Sequence, residues 1–146
     1  MEKLEKDYNI FDWWKKAFLK NYFNFSGRAR RMEYWSYGLV NFIITLPFYV
    51  LHFMEISKSD FQNPFSPYYF IIMLISLATL LPSLGVFVRR MHDTNRSGWW
   101  FLIAFVPLIG AIVLLIFLFT EGTKGVNNYG NDPKSADNNL SAIGKE

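Results

Sequence analysis

The stretch that decides the fold is a short polar hinge, Arg89-Arg90-Met91-His92-Asp93-Thr94-Asn95-Arg96-Ser97-Gly98. It lies between two segments that contain no charged residue, Pro67 to Val88 before it and Trp99 to Thr120 after it. Each segment has about 20 residues, the length that an α-helix needs to cross the hydrocarbon core of a bilayer. This arrangement therefore predicts a membrane protein. It also places the arginine, histidine and aspartate side chains of the hinge together at one membrane surface.

A third uncharged segment, Trp35 to Met54, completes the pattern. Core helices of soluble proteins rarely run 18 or more residues without a charge. We predict an all-α membrane protein with three transmembrane helices, at about residues 35–54, 67–88 and 99–120. The mean hydropathy of the chain is only +0.11 because its charges are concentrated outside these segments.

The segment before the first span, residues 10–25, predicts an amphipathic helix. Its apolar residues recur at spacings of three and four, and they are Ile10, Trp13, Trp14, Ala17, Phe18 and Tyr22. Three lysines flank this face, a pattern that favours a helix lying in the membrane interface. The alternative is a soluble helix that packs on a partner. We expect residues 10–133 to form one membrane domain, with residues 1–9 and 134–146 disordered.

The orientation in the membrane follows from the distribution of Lys and Arg. The segment before the first span has eight, the loop between the first two spans has one, and the hinge and the tail after residue 120 have three each. Basic residues favour the cytoplasmic side. Three spans then predict a cytoplasmic N-terminus, a cytoplasmic 89–98 loop and a C-terminus outside.

The hinge and the segment before the first span predict a candidate binding surface rich in arginine. Arginine binds oxyanions in bidentate fashion, and the start of the third span adds free backbone N–H groups. The predicted ligand is anionic lipid or an acidic partner, and the surface comprises Arg28, Arg31, Glu33, Arg89, Arg90, His92, Asp93, Arg96 and Ser97. The alternative is that these arginines only set the topology and pair with Glu33 and Asp93.

Aromatic residues near the span ends predict anchors at the membrane interface, where the ring is apolar and its N–H needs water. The predicted anchors are Trp13, Trp14, Trp35, Trp99 and Trp100.

We predict no catalytic residue, no cofactor, no metal site and no nucleic-acid partner. His92 and Asp93 are adjacent, and adjacent residues on a helix do not face each other, so capping or a salt bridge is favoured over catalysis. Two alternatives to a non-enzymatic binding protein remain open. One is a subunit of an oligomeric transporter or channel, although no charged residue lies within a span. The other is an enzyme acting on lipid head groups.

Several motifs resemble those of the bacterial inner-membrane family called domain of unknown function 805. The motif residues are Ser26-Gly27-Arg28, Arg31, Glu33-Tyr34-Trp35, Arg89-Arg90-Met91-His92-Asp93, Ser97-Gly98-Trp99-Trp100, Pro107, Gly110, Gly122, Gly125, Asn127, Tyr129-Gly130 and Asp132-Pro133. The resemblance covers about residues 11–133, with Met91 where the family usually has Leu. It implies a multi-pass protein of the bacterial inner membrane and no established activity. We expect the protein to contact the lipid bilayer and to bind either further copies of itself or another protein of a membrane complex.

Overall fold

The computed structural model describes residues 5–58 and 65–135, and in these ranges the chain is helical, without a regular β-strand. Residues 1–4 and 136–146, most of the two segments predicted to be disordered, lie outside the described residues, so that prediction stays untested. The predicted domain boundaries also remain predictions.

Two long helices form the centre of the fold, α2 (Arg31–Lys58) and α3 (Pro67–Asp93). By length and composition, both could cross a membrane. Helix α3 begins where the Ser66 side chain accepts a hydrogen bond from the Tyr69 N–H and proline occupies the first helical turn. The two helices run antiparallel, since Glu33 pairs with Arg89 near one end and His52 contacts Ser66 near the other.

The third apolar segment is not one helix. It forms a 3₁₀-helix at Gly98–Phe105 and then a separate helix, α4 (Ile109–Phe119). Between them the backbone of Val106 is extended and Leu108 has a φ of +64°. Proline disfavours helical geometry at the residue before it and lacks an N–H, which accounts for a break at Pro107.

The two pieces of this segment fold back on each other as a hairpin. The Trp100 and Phe117 rings are in contact, with centroids 5.2 Å apart. Nearer the turn, a Cβ added to Gly110 would lie 1.8 Å from the carbonyl oxygen of Ile103. Helix α4 has 11 residues and is about 16 Å long, roughly half the hydrocarbon thickness. The prediction of a continuous third helix over 99–120 is therefore wrong.

The N-terminal segment is helical over a shorter range than predicted. Helix α1 (Ile10–Lys15) continues as a π-helical turn (Lys16–Lys20). A capping box between Asn9 and Asp12 starts it. Its predicted apolar face packs on the long helices, where Ala17 joins a buried cluster with Ala29, Tyr37 and Val86. The amphipathic pattern therefore serves packing within the protein, and its predicted place in the membrane interface remains a prediction.

Candidate functional site

The motif at the start of α2 and the motif at the end of α3 meet at one end of the fold. Glu33, in the first turn of α2, is completely buried. It accepts a hydrogen bond from Arg89 of α3, and the ammonium group of Lys16 lies 3.1 Å from its second oxygen. These three residues form the inner ionic cluster. They join α2, α3 and the N-terminal helical segment through one carboxylate.

A second buried carboxylate, Asp93, lies at the last residue of α3. Arg28 donates to it at 3.0 Å and Arg90 donates to its other oxygen. Arg90 also donates to the backbone carbonyls of Leu118 and Thr120 at the end of α4. Arg28, Arg90 and Asp93 form the outer ionic cluster. Because Arg90 of α3 bonds to these carbonyls, the outer cluster holds the end of the hairpin against α3.

The tail after the hairpin binds to the same cluster. Arg28 donates to the carbonyl oxygens of Thr123, Gly125 and Gly130. The Thr123 N–H donates in turn to the Asp93 carbonyl at 2.8 Å. Directly hydrogen-bonded groups cannot lie on opposite sides of a bilayer. The structure therefore brings the hinge and the described tail residues together, whereas a third full span would separate them, and the predicted orientation of the termini remains a prediction.

A tight turn in the tail covers the end of the hinge. The backbone groups of Asn127 and Gly130 bond to each other. The Tyr129 ring stacks on His92 at a centroid distance of 3.8 Å, and the Asn127 side chain donates to the His92 carbonyl at 2.9 Å. Sequence reasoning missed this contact, because nothing in the tail composition shows where the turn docks.

The predicted site residues divide by exposure. Five are buried and bonded within the protein, namely Arg28, Glu33, Arg89, Arg90 and Asp93. The Arg96 guanidinium lies over the Phe117 ring at 4.1 Å, and Ser97 caps the 3₁₀-helix. Arg31 is the exception among the predicted arginines, with 45% of its side chain exposed. Most of the predicted surface is therefore an internal scaffold, and Arg31 faces outward.

Beside Arg31 is a polar cavity of about 360 Å³ that the sequence did not predict. It is lined by Arg30, Arg31, Asp93, Glu121, Gly122, Lys124, Asp132, Pro133 and Lys134. Four cationic side chains face three carboxylates, one of which, Asp93, is already bonded to two arginines. Arg31, Lys124 and Lys134 are exposed to solvent, as is Glu121, which pairs with Arg31 and Lys134.

The carboxylates of this cavity respond to the cations around them. A hydrogen bond from Lys134 lowers the pKa of Glu121, and the charges of Lys134 and Arg31 lower it further. Burial opposes ionisation of Asp132, but the backbone N–H groups of Lys134 and Gly125 outweigh it, and its pKa is also lowered. Both carboxylates are thus stabilised in their charged form by groups around the cavity.

The predicted interface anchors lie in different surroundings. Trp13 is 3% exposed, and its ring packs against Lys16 and Arg30, so it contacts protein rather than lipid. Trp14 donates to Asn41 of α2 at 3.3 Å. Trp35, Trp99 and Trp100 are exposed. Across the described ranges, no group of three His, Cys, Asp or Glu side chains is arranged to hold a metal ion.

Comparisons with known proteins agree with the resemblance noted from the motifs. The profile of a family described as "Protein of unknown function (DUF805)" matches residues 22–131. The chain is 48% identical to inner membrane protein YhaI of Escherichia coli (strain K12) over 125 residues, 86% of this chain and 98% of YhaI. It is 40% identical to inner membrane protein YhaH of the same strain over 124 residues, 84% of this chain and 97% of YhaH. No solved structure matches the chain significantly.

Proposed function

Because the chain belongs to the DUF805 family, whose relatives YhaI and YhaH are inner membrane proteins, we propose that it is a non-enzymatic inner-membrane protein that binds anionic head groups at its cytoplasmic surface. The observation that carries the proposal is the polar cavity with three exposed cations at its rim. Its ligand is the phosphate-bearing head group of an anionic phospholipid.

The proposed topology has two spans, α2 and α3, followed by a hairpin that enters and leaves the membrane on one side. The contacts of Arg28 and Asp93 with the tail support this arrangement. Lys58 is the only Lys or Arg among residues 32–88, and the other fourteen of the fifteen precede or follow this range. With hinge, N-terminal segment and tail on one side, that side is the cytoplasm by the positive-inside rule.

Reporter fusions after Glu146 test the topology. Two spans and a returning hairpin predict an active cytoplasmic reporter and an inactive periplasmic one. Fusion in the loop after Lys58 should give the opposite pattern and serves as the control. An active periplasmic reporter at Glu146 would mean that the third apolar segment crosses the membrane, and would remove the proposed topology.

The cavity suits a head group in size, charge and depth. Its volume falls within the range of about 300–1,000 Å³ typical of ligand sites. Arg31 lies at the start of α2 and Glu121 two residues after α4, so in the proposed topology the cavity lies at the membrane surface. Arg31 and Glu121 are 3.8 Å apart and both exposed, a weak pair that a phosphate can displace.

Native mass spectrometry of the detergent-extracted protein tests the binding. The test variant combines Arg31→Gln, Lys124→Gln and Lys134→Gln. Each charge-assisted hydrogen bond to the phosphate contributes about 1.5 kcal/mol or more, so loss of these cations should lower the affinity for phosphatidylglycerol at least about tenfold.

The matched control combines Lys6→Gln, Lys15→Gln and Lys20→Gln, which removes the same charge at residues that do not line the cavity. It should retain phosphatidylglycerol at close to the wild-type affinity. Equal affinities of the two triple variants would show that the cavity is not the site. Cross-linking in native membranes that recovers an acidic protein at Lys124 or Lys134, with no retained lipid, would replace the lipid by a protein partner.

A further inference from the structure

An apolar groove runs between the two long helices, away from the ionic clusters. Its volume is about 470 Å³. Trp35, Gly38 and Phe42 of α2 form one wall, and Ser83 and Val86 of α3 contribute to the other. The groove is partly open to the surroundings, and a Cβ built at Gly38 would meet no atom within 4 Å.

The groove and the head-group cavity lie along the same face of α2. Arg31, Trp35, Gly38 and Phe42 are spaced by four, three and four residues, which places them on the same face of a helix. Arg31 lines the polar cavity and Trp35, one turn further, lines the groove. At 1.5 Å per residue the distance along the axis from Arg31 to Phe42 is about 16 Å, close to the depth of one leaflet.

We propose that this groove holds an acyl chain of an anionic phospholipid whose head group is bound at Arg31. The inference rests on the proposed head-group function and adds a contact between the groove and the acyl chain. This contact would favour a phospholipid over a soluble phosphate. The protein would thus hold one phospholipid in a defined place in the cytoplasmic leaflet.

The groove suits an occupant that needs no hydrogen bonds. The Tyr37 hydroxyl donates to the Thr79 carbonyl at 3.0 Å and lies 3.2 Å from the Ser83 hydroxyl. The Asn41 side-chain oxygen accepts from Trp14. The Tyr37 and Ser83 hydroxyls and the Asn41 side-chain oxygen are therefore bonded within the protein, and the rest of the lining is mostly apolar. Arg31, one turn before Trp35 on the same face of α2, favours a lipid with an anionic head group over a purely apolar occupant.

Gly38 offers a direct test, because a Cβ at this position would meet nothing within 4 Å. Gly38→Leu should place its side chain in the groove without a clash in the protein. Gly38→Ala is the matched control, since it gains the same helix stabilisation of about 1 kcal/mol over glycine but adds only a methyl group. Melting temperatures in lipid-free detergent check that both variants fold.

The measurement is the affinity of each purified variant for phosphatidylglycerol and phosphatidylcholine by native mass spectrometry. Wild type and Gly38→Ala should retain phosphatidylglycerol, and Gly38→Leu should bind it about tenfold more weakly, equivalent to about 1.4 kcal/mol. Phosphatidylglycerol carrying a photoreactive group on its acyl chain should label the wild-type peptide that contains Gly38. This labelling tests the groove even if Gly38→Leu does not fold.

The outcomes separate this inference from the proposed function. If Gly38→Leu keeps full affinity while the Arg31, Lys124 and Lys134 triple variant loses it, the head-group site stands and the groove inference is overturned. If both keep full affinity, both proposals fail. If Gly38→Leu converts a wild-type dimer into a monomer, the groove is an interface between two copies and the lipid inference is overturned.

Discussion

Replacing Asp93 with Asn should release the tail from the end of α3. The Asp93 carboxylate is buried and accepts from both Arg28 and Arg90. Arg28 in turn holds the carbonyls of the tail at Thr123 and Gly125. Asparagine has nearly the same shape but lacks the charge and one acceptor, so the substitution leaves two buried guanidinium groups without their counter-ion.

The magnitude follows from the burial of these groups. Removing one partner of a buried ion pair costs about 3–5 kcal/mol. The Arg28 and Arg90 side chains are 2% and 0% exposed, so solvent cannot replace the lost partner. Both keep backbone carbonyl acceptors, which places the expected cost at the lower end, about 3 kcal/mol. The population of molecules with an open tail should then rise about 100-fold.

Trypsin digestion in mild detergent measures this opening, because cleavage after the exposed Lys124 or Lys134 requires the tail to leave its site. When closing is fast relative to cleavage, the rate follows the open population. The Asp93→Asn variant should therefore be cut about 100-fold faster than wild type. Glu121→Gln, at an exposed ion pair, is the control and should change the rate little. Equal rates for Asp93→Asn and wild type would refute the role assigned to the outer cluster.

Three further substitutions or conditions test other parts of the structure. Gly110→Ala should destabilise the hairpin by about 1–3 kcal/mol, because its methyl group meets a backbone carbonyl; in a continuous helix it would raise the melting temperature instead. Trp14→Phe should cost about 1 kcal/mol in denaturant melts, since it removes the donor to Asn41. The pKa of Asp132 is lowered in the folded state, so the carboxylate stabilises the tail above the ordinary pKa of Asp, and this stabilisation is lost as the pH falls through the folded pKa. Amide exchange in the tail of the wild type should therefore become faster over this pH range. The exchange rate in Asp132→Asn should depend less on pH.

The two long helices could be predicted from the sequence because the bilayer imposes a simple rule. A segment that crosses hydrocarbon must satisfy its backbone internally and carry few charges, and both conditions are visible in the order of residues. The segments 35–54 and 67–88 lie within α2 and α3. The family motifs could also be recognised, and the family comparison confirms them.

The third apolar segment shows where this reasoning stops. Its 22 uncharged residues have the length of a span, and the same length also accommodates a 3₁₀-helix, a turn and an 11-residue helix. Pro82 lies inside α3 without ending it, whereas Pro107 lies at a reversal of the chain. At this reversal Gly110 packs closely on the backbone of Ile103, and such a contact has no signature in composition.

The candidate site was predicted only in part for a related reason. The sequence indicated that the arginines of the hinge and of the first motif share a surface, and Arg28 and Arg89 do meet Asp93 and Glu33. It gave no means of telling a buried guanidinium from an exposed one. The cavity at Arg31 requires the tail to fold back, and that return follows from the hairpin rather than from charge counting.

The amino-acid sequence by itself determined that this chain is a helical membrane protein with a basic, arginine-rich end, because hydrophobic length and charge are properties of the order of residues. Only the tertiary structure decided that the third apolar segment turns back, that the tail closes over His92, and that Arg31 is exposed while Arg90 is buried. These outcomes depend on which distant groups satisfy one another's hydrogen bonds and charges. Such pairings are set by three-dimensional packing, which local sequence patterns do not encode.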